Sequence, residues 1–251
     1  MNTQLEKLRE LCHQAPSTET WTYLCLQVHQ WRHDQQLDMA LDYVDQHLAS
    51  WPDALRTCPQ TWWSNRVERG SEARIKIVRA LRLSHQALGL AGAQRLAYTS
   101  ELASLRVLEV DDAYLGLDGV QALLESPWLT QLHTLRLDQN WIGDEGVEAL
   151  AQWKYAHQLR HVGLANNRLS DAAALSLASC SALVSLQSLD LSDNTIEDAG
   201  AVALVASPVL NSLVALDLKG NPVGRIGAGA LAMSHRVDVA GRAWWAARPA
   251  E

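Results

Sequence analysis

One 27-residue unit is repeated six times along most of this chain, from Val78 to Val239. When the units are aligned, the first, fourth and sixth positions hold Val or Leu in every one. Hydrophobic residues make up 48% of the 251 residues, so eighteen apolar residues in these eighteen places lie far beyond chance. A repeat this regular predicts a solenoid of stacked units and argues against a buried catalytic pocket. The units begin at Val78, Leu105, Leu132, Leu159, Leu186 and Leu213.

The second half of each unit carries turn and helix signals in phase with the apolar positions. Asn stands at the ninth position of the last four units, where its short amide can bond backbone groups that a strand ladder leaves unpaired. Glycine at the twelfth position permits a tight reversal, and Asp144, Asp171 and Asp198 stand where we expect helix N-caps. Small residues at the sixteenth position let each helix lie close to its strand. These residues are Asn140, Asn167, Asn194 and Asn221; Gly89, Gly116, Gly143 and Gly224; and Ala93, Ala174, Ala201 and Ala228.

The unit L-x-x-L-x-L-x-x-N-x-[LIV] resembles the leucine-rich repeat. Its second half, as in residues 142–151, resembles the ribonuclease-inhibitor-like subclass, and we interpret the chain as a bacterial member. The resemblance covers about two thirds of the chain. It implies an α/β solenoid, a horseshoe with a parallel sheet on the concave side and helices on the convex side, preceded by an α-helical N-terminal segment. Because this family is a general binding scaffold, we expect no enzymatic activity, cofactor or metal.

Two segments flank the six repeats of residues 78–239. Residues 1–77 carry three apolar stripes at helical spacing, which predict three or four helices. The first strand of a solenoid needs a neighbour, so this segment is either a cap or a separate protein-docking module. In the C-terminal cap or tail, residues 240–251, Trp244 and Trp245 either cover the core or engage a partner; Val237 and Val239 before it could form a last strand. The stripes are Leu5, Leu8, Leu11 and Cys12; Trp21, Leu24, Cys25, Val28 and Trp31; and Leu37, Leu41, Val44 and Leu48.

Charge and cysteine usage narrow the classes of partner and compartment. The net charge is −7, and most of the acidity lies in the repeats, which argues against general nucleic-acid binding and against binding to anionic membranes. No stretch is long enough for membrane insertion, and the N-terminus has no apolar signal core. Four widely spaced cysteines without a C-x-x-C pair favour a reduced, cytoplasmic protein.

The concave side offers the candidate binding residues. Strand side chains between the core leucines stand side by side in adjacent repeats, about 4.8 Å apart. They form two acidic clusters separated by a neutral stretch at Gly163 and Ala165, which suits a partner with a basic surface; the alternative is an ordinary solvated face. The clusters are Glu109, Asp111, Asp112 and Asp138, then Asp190, Asp193 and Asp217.

Aromatic residues depart from the repeat pattern near the first acidic cluster. Tyr114 and Trp141 stand at the same position of adjacent units, so they could form an exposed patch that a partner contacts, or they could merely cover the turn. Trp128 and Trp153 fall late in their units, where an exposed ring could also anchor an interface.

The sequence gives little support to an enzymatic function. His29 and His33 are four residues apart on one predicted helix face near Asp34 and Asp38, which could share a metal, but a third ligand is unassigned. No nucleophile elbow, phosphate loop or dinucleotide fingerprint occurs.

The sequence therefore favours a protein-binding adaptor, regulator or inhibitor that acts by rigid shape complementarity. Three alternatives stay open: a secreted bacterial effector that binds a host protein, a structural subunit of a larger complex, and a small enzyme built on the N-terminal helices. The sequence leaves the partner, the pathway, export and the oligomeric state undetermined.

Overall fold

The structure is a computed structural model that describes residues 3–31, 35–64 and 71–234. These residues divide into two compact units. The first unit holds the described residues up to Arg82 together with Thr99–Val107, and the second holds Leu83–Tyr98 and the described residues from Leu108 onward. The predicted sites at His33, Asp34, Val237, Val239, Trp244 and Trp245, and the whole tail 240–251, lie outside the described residues.

The first unit is helical, as the apolar stripes predict. Its helices are α1 (Thr3–Cys12), α2 (Thr18–His29), α3 (Gln35–His47), α4 (Gln60–Ser64) and α5 (Ser71–Ile75). Ser17 caps α2, because its Oγ accepts a hydrogen bond of 3.0 Å from the backbone N–H of Thr20. The centres of the stripes form the core of this unit, namely Leu8, Leu24, Val28, Leu37, Leu41, Val44 and Leu48.

An extended segment of the first unit pairs with β1 (Ala80–Arg82). Thr57 and Ala80 form a parallel bridge, and the backbone N–H of Cys58 donates to the carbonyl of Ala80 at 2.8 Å. The first strand of the repeats thus has a neighbour on its outer edge, which satisfies backbone groups that would otherwise need water. This is what a cap must do; whether the same segment also docks a partner stays a prediction.

Buried charges hold this segment in place. Arg56 is 2% exposed, and it donates to the carbonyls of Ile77 at 2.9 Å and Leu48 at 3.2 Å. The carboxylate of Asp45 accepts from both Arg56 and Arg79, so one acid serves two buried guanidinium groups. Buried cations are stable only with such partners, so these bonds fix α3 against the strand segment.

Strands and helices alternate through the repeats, which confirms the predicted α/β fold. The strands lie in one sheet in chain order, β1 to β6, and β3 to β6 pair in parallel. Leu135 pairs with Val162, which is a shift of 27 residues, so each unit contributes one strand. Strands β2 to β6 are Val107–Glu109, Thr134–Arg136, His161–Gly163, Ser188–Asp190 and Ala215–Asp217; helices α6 to α11 are Gly89–Ala97, Gly116–Leu124, Gly143–Ala151, Asp171–Ser179, Asp198–Ala206 and Arg225–Met233.

The eighteen repeat positions form the core of the solenoid. Side chains at the first, fourth and sixth positions are all at most 6% exposed. Burial of a Val or Leu side chain contributes about 1.5–3 kcal/mol, so the periodic leucines dominate the stability of the fold. The helices complete this core from the other side with residues such as Val147 and Leu150. Ala228, in the last unit, is exposed and departs from the predicted helix–strand contact.

A ladder of buried asparagines joins the repeats. The Oδ1 atom of Asn167 accepts from the backbone N–H of Asn140 at 2.8 Å and of Ile142 at 3.4 Å. Its Nδ2 donates to the carbonyls of Leu137 at 2.8 Å and Ala165 at 3.1 Å. Asn140 and Asn194 bond the preceding repeat in the same way, which confirms the role expected for this position.

The predicted N-caps at Asp144, Asp171 and Asp198 are wrong. These residues lie inside the first turns of α8, α9 and α10, and their carboxylates bond the following repeat. Asp171 accepts from the N–H of Glu197 at 2.7 Å, and Asp198 accepts from the N–H of Gly227 at 2.7 Å. The stacking of repeats brings the free N–H groups of the next helix start within reach, and the carboxylate satisfies those instead of its own.

The turn glycines divide into two kinds. Gly89, Gly116 and Gly143 adopt the left-handed conformation, with φ of 54°, 58° and 62°, so the tight reversal does require glycine there. Gly224 has a φ of −84° and needs no such freedom. A Cβ atom at Gly224 would stand 2.8 Å from the Asp198 carboxylate, so this glycine makes room for a neighbouring side chain.

Replacing Asn167 with Ala should lower the free energy of unfolding by about 3 kcal/mol, because it leaves buried backbone groups of the neighbouring repeat unsatisfied. Urea unfolding followed by circular dichroism measures this. The matched control is Asn166→Gly, because Asn166 is exposed and has a φ of 51° that glycine adopts freely. Equal losses in both variants would contradict a structural role for the ladder.

Candidate functional site

The sheet face comprises the side chains at the fifth, seventh and eighth positions of each 27-residue repeat. Only residues of the second compact unit are included. All the predicted acidic site residues lie on this face, but their exposure differs. Asp111 and Asp138 are buried, at 9% and 5% exposure, whereas Asp193 is exposed. Glu109, Asp112, Asp190 and Asp217 are half-buried.

A buried arginine sits within the first acidic cluster. Arg136, at 6% exposure, lies 3.2 Å from the Asp111 carboxylate and bonds Asp138 directly. The prediction of an open acidic cluster at Glu109, Asp111, Asp112 and Asp138 therefore needs correction, because two of the four carboxylates share one guanidinium. The sequence places Arg136 at the fifth position, but its effect depends on a side-chain direction that spacing does not give.

The same two carboxylates also bond backbone groups of the next repeat. Asp111 accepts from the N–H of Asp138 at 3.1 Å, and Asp138 accepts from the N–H of Ala165 at 3.0 Å. Gly163 makes this possible, since a Cβ atom there would stand 2.7 Å from the Asp138 carboxylate. The neutral stretch between the clusters is thus the space into which Arg136 and Asp138 pack.

The second acidic cluster is more open. Asp190 accepts from the N–H of Ser192 at 3.0 Å and from its hydroxyl at 2.7 Å, and Asp217 accepts from the N–H of Lys219 at 2.9 Å. Burial raises the pKa of Asp217, and the nearby charge of Asp190 adds to the increase. Asp193 is the most exposed acid of this group, so it can meet a partner without losing an internal bond.

Asp138 has the most unusual environment of the predicted site residues. Burial, and next the charge of Asp111, raise the pKa of Asp138 to about 6, although Arg136 lowers it. Asp190 also raises this pKa, whereas the hydrogen bond from Ala165 lowers it. The attraction between the shared guanidinium and the Asp138 carboxylate is therefore smaller than the free energy needed to take this carboxylate out of water.

Tyr114 and Trp141 form the patch that their spacing predicts. Their ring centroids are 5.6 Å apart with an interplanar angle of 89°, and the residues are 56% and 54% exposed. Arg168, one unit further on, places its guanidinium carbon 5.2 Å from the centre of the Trp141 ring. We call these three residues the aromatic–arginine row. Sequence reasoning missed Arg168, although it occupies the same tenth position.

The backbone of the row is left-handed, with φ of 55° at Tyr114, 56° at Trp141 and 62° at Arg168. This conformation costs roughly 1–2 kcal/mol for a residue with a side chain, and Gly or Asn would lower the cost. The turn of the repeat imposes the conformation, but it does not demand large side chains. The chain therefore holds three large exposed side chains on left-handed backbone.

The other two tryptophans differ from each other. Trp128 is 38% exposed, whereas Trp153 is 6% exposed and packs against Tyr155 with ring centroids 5.9 Å apart. The interpretation of Trp153 as an exposed anchor is therefore wrong, because its ring joins the core below the helices.

Three basic residues lie at the starts of β3 and β4 or just before them, namely His133, Arg160 and His161. His161 is half-buried and pairs in register with Ser188 on β5. Burial lowers the pKa of His161 to about 4, and the charges of Arg160 and His133 lower it further. The acidic residues of the sheet face lie at the ends of their strands or just after them.

The second compact unit carries the excess negative charge of the chain. Its described residues include 15 acidic and 7 basic side chains, a net charge of −8, against −7 for the whole sequence. A field of this sign attracts basic partners over a Debye length of about 10 Å.

The described ranges give little sign of metal binding or membrane insertion. Among the residues described, no group of three or more His, Cys, Asp and Glu side chains could hold a metal ion. Residues 3–31, 35–64 and 71–234 include no helix that is both long and apolar enough to cross a bilayer. The four cysteines are free thiols and all are buried.

Comparison with known proteins identifies the repeat. The family model described as a leucine-rich repeat matches residues 129–151, 182–205 and 209–232. None of the curated proteins matches the sequence. The match to the family model agrees with the repeat seen in the strands and in the asparagine ladder.

Solved structures with a similar chain course were also found. One is the complex of Rad7 and Elc1 from yeast, at 12% identity and a TM-score of 0.33, covering 78% of this chain and 57% of that chain. Another is an internalin from Listeria monocytogenes, at 16% identity and a TM-score of 0.29, covering 68% of this chain and 64% of that one. The TLR13–ssRNA13 complex matches at 16% identity and a TM-score of 0.29, covering 67% of this chain and 33% of that one. At these values none of the three carries an argument about function.

Replacing Asp138 with Asn should change how stability depends on pH. Because the pKa of Asp138 is raised in the folded state, the native protein binds this proton more tightly than the unfolded chain does. That contribution, about 3 kcal/mol, is present below about pH 4 and is lost as the pH rises through about 6. Urea unfolding between pH 4 and pH 7 should therefore show the wild type losing stability relative to Asp138→Asn. Parallel profiles for the two proteins would contradict the assignment.

Proposed function

We propose, because this chain is a leucine-rich repeat protein, that it is a non-enzymatic scaffold that binds another protein through its sheet face and its aromatic–arginine row. Proteins of this family are generally binding scaffolds rather than enzymes. A rigid surface supports such a role, since preformed strands and turns lose little entropy when a partner docks.

The observation that carries the proposal is the row of Tyr114, Trp141 and Arg168. Tyr, Trp and Arg are the residue types most enriched among interface residues that contribute strongly to binding. Here they are contiguous, exposed and held by left-handed backbone that favours smaller residues. Residues held in a backbone conformation that disfavours them cluster at binding sites, which supports a contact with a partner here.

Charge supports a partner with a basic surface. Asp112, which is half-buried, and Asp193, which is exposed, stand at the eighth position of their repeats, and the whole compact unit is acidic. Such complementarity raises association rates and selects against acidic partners, whereas it adds less to the final affinity. The energy of binding would come mainly from the aromatic row.

We infer an adaptor, regulator or inhibitor in the cytoplasm, because four free cysteines suit a reducing compartment. The ribonuclease-inhibitor-like subclass, a bacterial origin, export as an effector and membership of a larger complex stay predictions.

Replacing Trp141 with Ala should weaken partner binding by roughly 30-fold, because a central aromatic residue typically contributes about 2 kcal/mol. Reversal of Asp112 and Asp193 to Lys should slow association and reduce its dependence on salt. The partner is first captured on the immobilised wild-type protein from an extract of the native source and identified by mass spectrometry, and binding of the purified pair is then measured by surface plasmon resonance.

The matched control is a reversal of two exposed acids on the helix side, Asp118→Lys with Glu145→Lys, which keeps the change in charge equal. Asp111 and Asp138 are unsuitable for charge reversal, since both bond the backbone of the next repeat. Binding that is unchanged by Trp141→Ala, or equally reduced by the helix-side reversal, would remove the sheet face and the row as the binding surface.

A further inference from the structure

The aromatic–arginine row already contains one recognised cation. The guanidinium of Arg168 lies over the Trp141 ring, at 5.2 Å from its centre, and Trp141 in turn meets the Tyr114 ring at 5.6 Å. Aromatic faces attract cations through their quadrupole, and guanidinium groups are favoured because they are planar and weakly hydrated. The chain itself therefore shows which kind of side chain this row accepts.

The row stops at Tyr114. The tenth position of the preceding unit holds Ala87, an exposed residue whose side chain is a single methyl group. The two units are adjacent here, because the N–H of Gly89 donates to the carbonyl of Ala113 at 3.0 Å. Tyr114 remains 56% exposed, so its ring offers surface beyond its contact with Trp141.

A carboxylate lies close to Tyr114 along the chain. Asp112 precedes Tyr114 by two residues, and its side chain is 39% exposed. Its Oδ2 atom lies 3.2 Å from Nδ1 of His85, whose side chain is 75% exposed. A carboxylate has about four acceptor sites, so Asp112 retains capacity to accept further N–H donors.

We propose that the open end of the row, formed by Tyr114, Ala87 and Asp112, binds an arginine side chain of the partner. The incoming guanidinium stacks on Tyr114 as Arg168 stacks on Trp141, and its N–H groups bond the Asp112 carboxylate. The partner then extends the row by one position above Ala87. This inference rests on the proposed function and names the chemistry of its anchor.

The test uses hexaarginine as the probe, with hexalysine and the neutral hexacitrulline for comparison, titrated calorimetrically at 0.15 M salt. Hexaarginine should bind more tightly than either of the other peptides. Tyr114→Ala should weaken hexaarginine binding about tenfold, whereas Tyr114→Phe should retain it. Asp112→Asn should weaken it more than Asp118→Asn, which removes the same charge from the helix side.

A second variant tests the site while leaving Tyr114 and Asp112, the two residues that contact the guanidinium, in place. Ala87→Arg places an arginine of the chain itself at the next position of the row, so it should compete with the probe and weaken hexaarginine binding. The indole N–H resonance of Trp141, assigned by its loss in Trp141→Phe, should shift with hexaarginine in the wild type and not in Tyr114→Ala. Circular dichroism confirms that each variant is folded.

The outcomes separate this inference from the broader proposal. Absent hexaarginine binding, or equal binding by wild type and Tyr114→Ala, would overturn the arginine anchor. If Trp141→Ala still abolished binding of the natural partner in that case, the scaffold proposal would stand alone. If Trp141→Ala also had no effect, both would be wrong.

Discussion

Satisfaction of the backbone between successive repeats is the constraint on which the rest of this structure depends. Because the strands are only three residues long, part of each buried turn lies beyond the strand pairing and needs other hydrogen-bond partners. Side chains of the neighbouring unit supply them: Asn140, Asn167 and Asn194 on the strand side, and Asp171 and Asp198 at the helix starts. The leucine core can form because these bonds leave its backbone satisfied.

The same constraint shapes the sheet face. Asp111 and Asp138 extend this bonding of the next repeat across the sheet, and Arg136 neutralises part of the charge that results. A surface that reads as acidic in the sequence is therefore partly a structural network. The acids that remain for recognition are those with exposed side chains and few internal bonds, of which Asp193 is the clearest.

The proposed binding surface lies where the repeat carries large residues at turns that Gly or Asn would fit best. Gly and Asn adopt left-handed backbone at the lowest conformational free energy. Three successive turns instead carry Tyr114, Trp141 and Arg168. Their contacts with one another make a mixed apolar and cationic row beside an acidic face. Such a surface favours recognition of a side chain that is both planar and positive.

The sequence by itself determined the repeat length, the α/β class, the buried apolar positions, the asparagine ladder and the proximity of Tyr114 to Trp141. All of these follow from periodicity, because residues 27 positions apart must become neighbours once units stack. Tertiary structure alone decided that Asp171 and Asp198 bond the next helix, that Arg136 lies between two acids, that Trp153 is buried and that Arg168 completes the row. Spacing shows which residues are neighbours. The packing of those neighbours then sets the direction and burial of each side chain. Direction and burial decide whether a charged group bonds the backbone, pairs with another charge or contacts a partner.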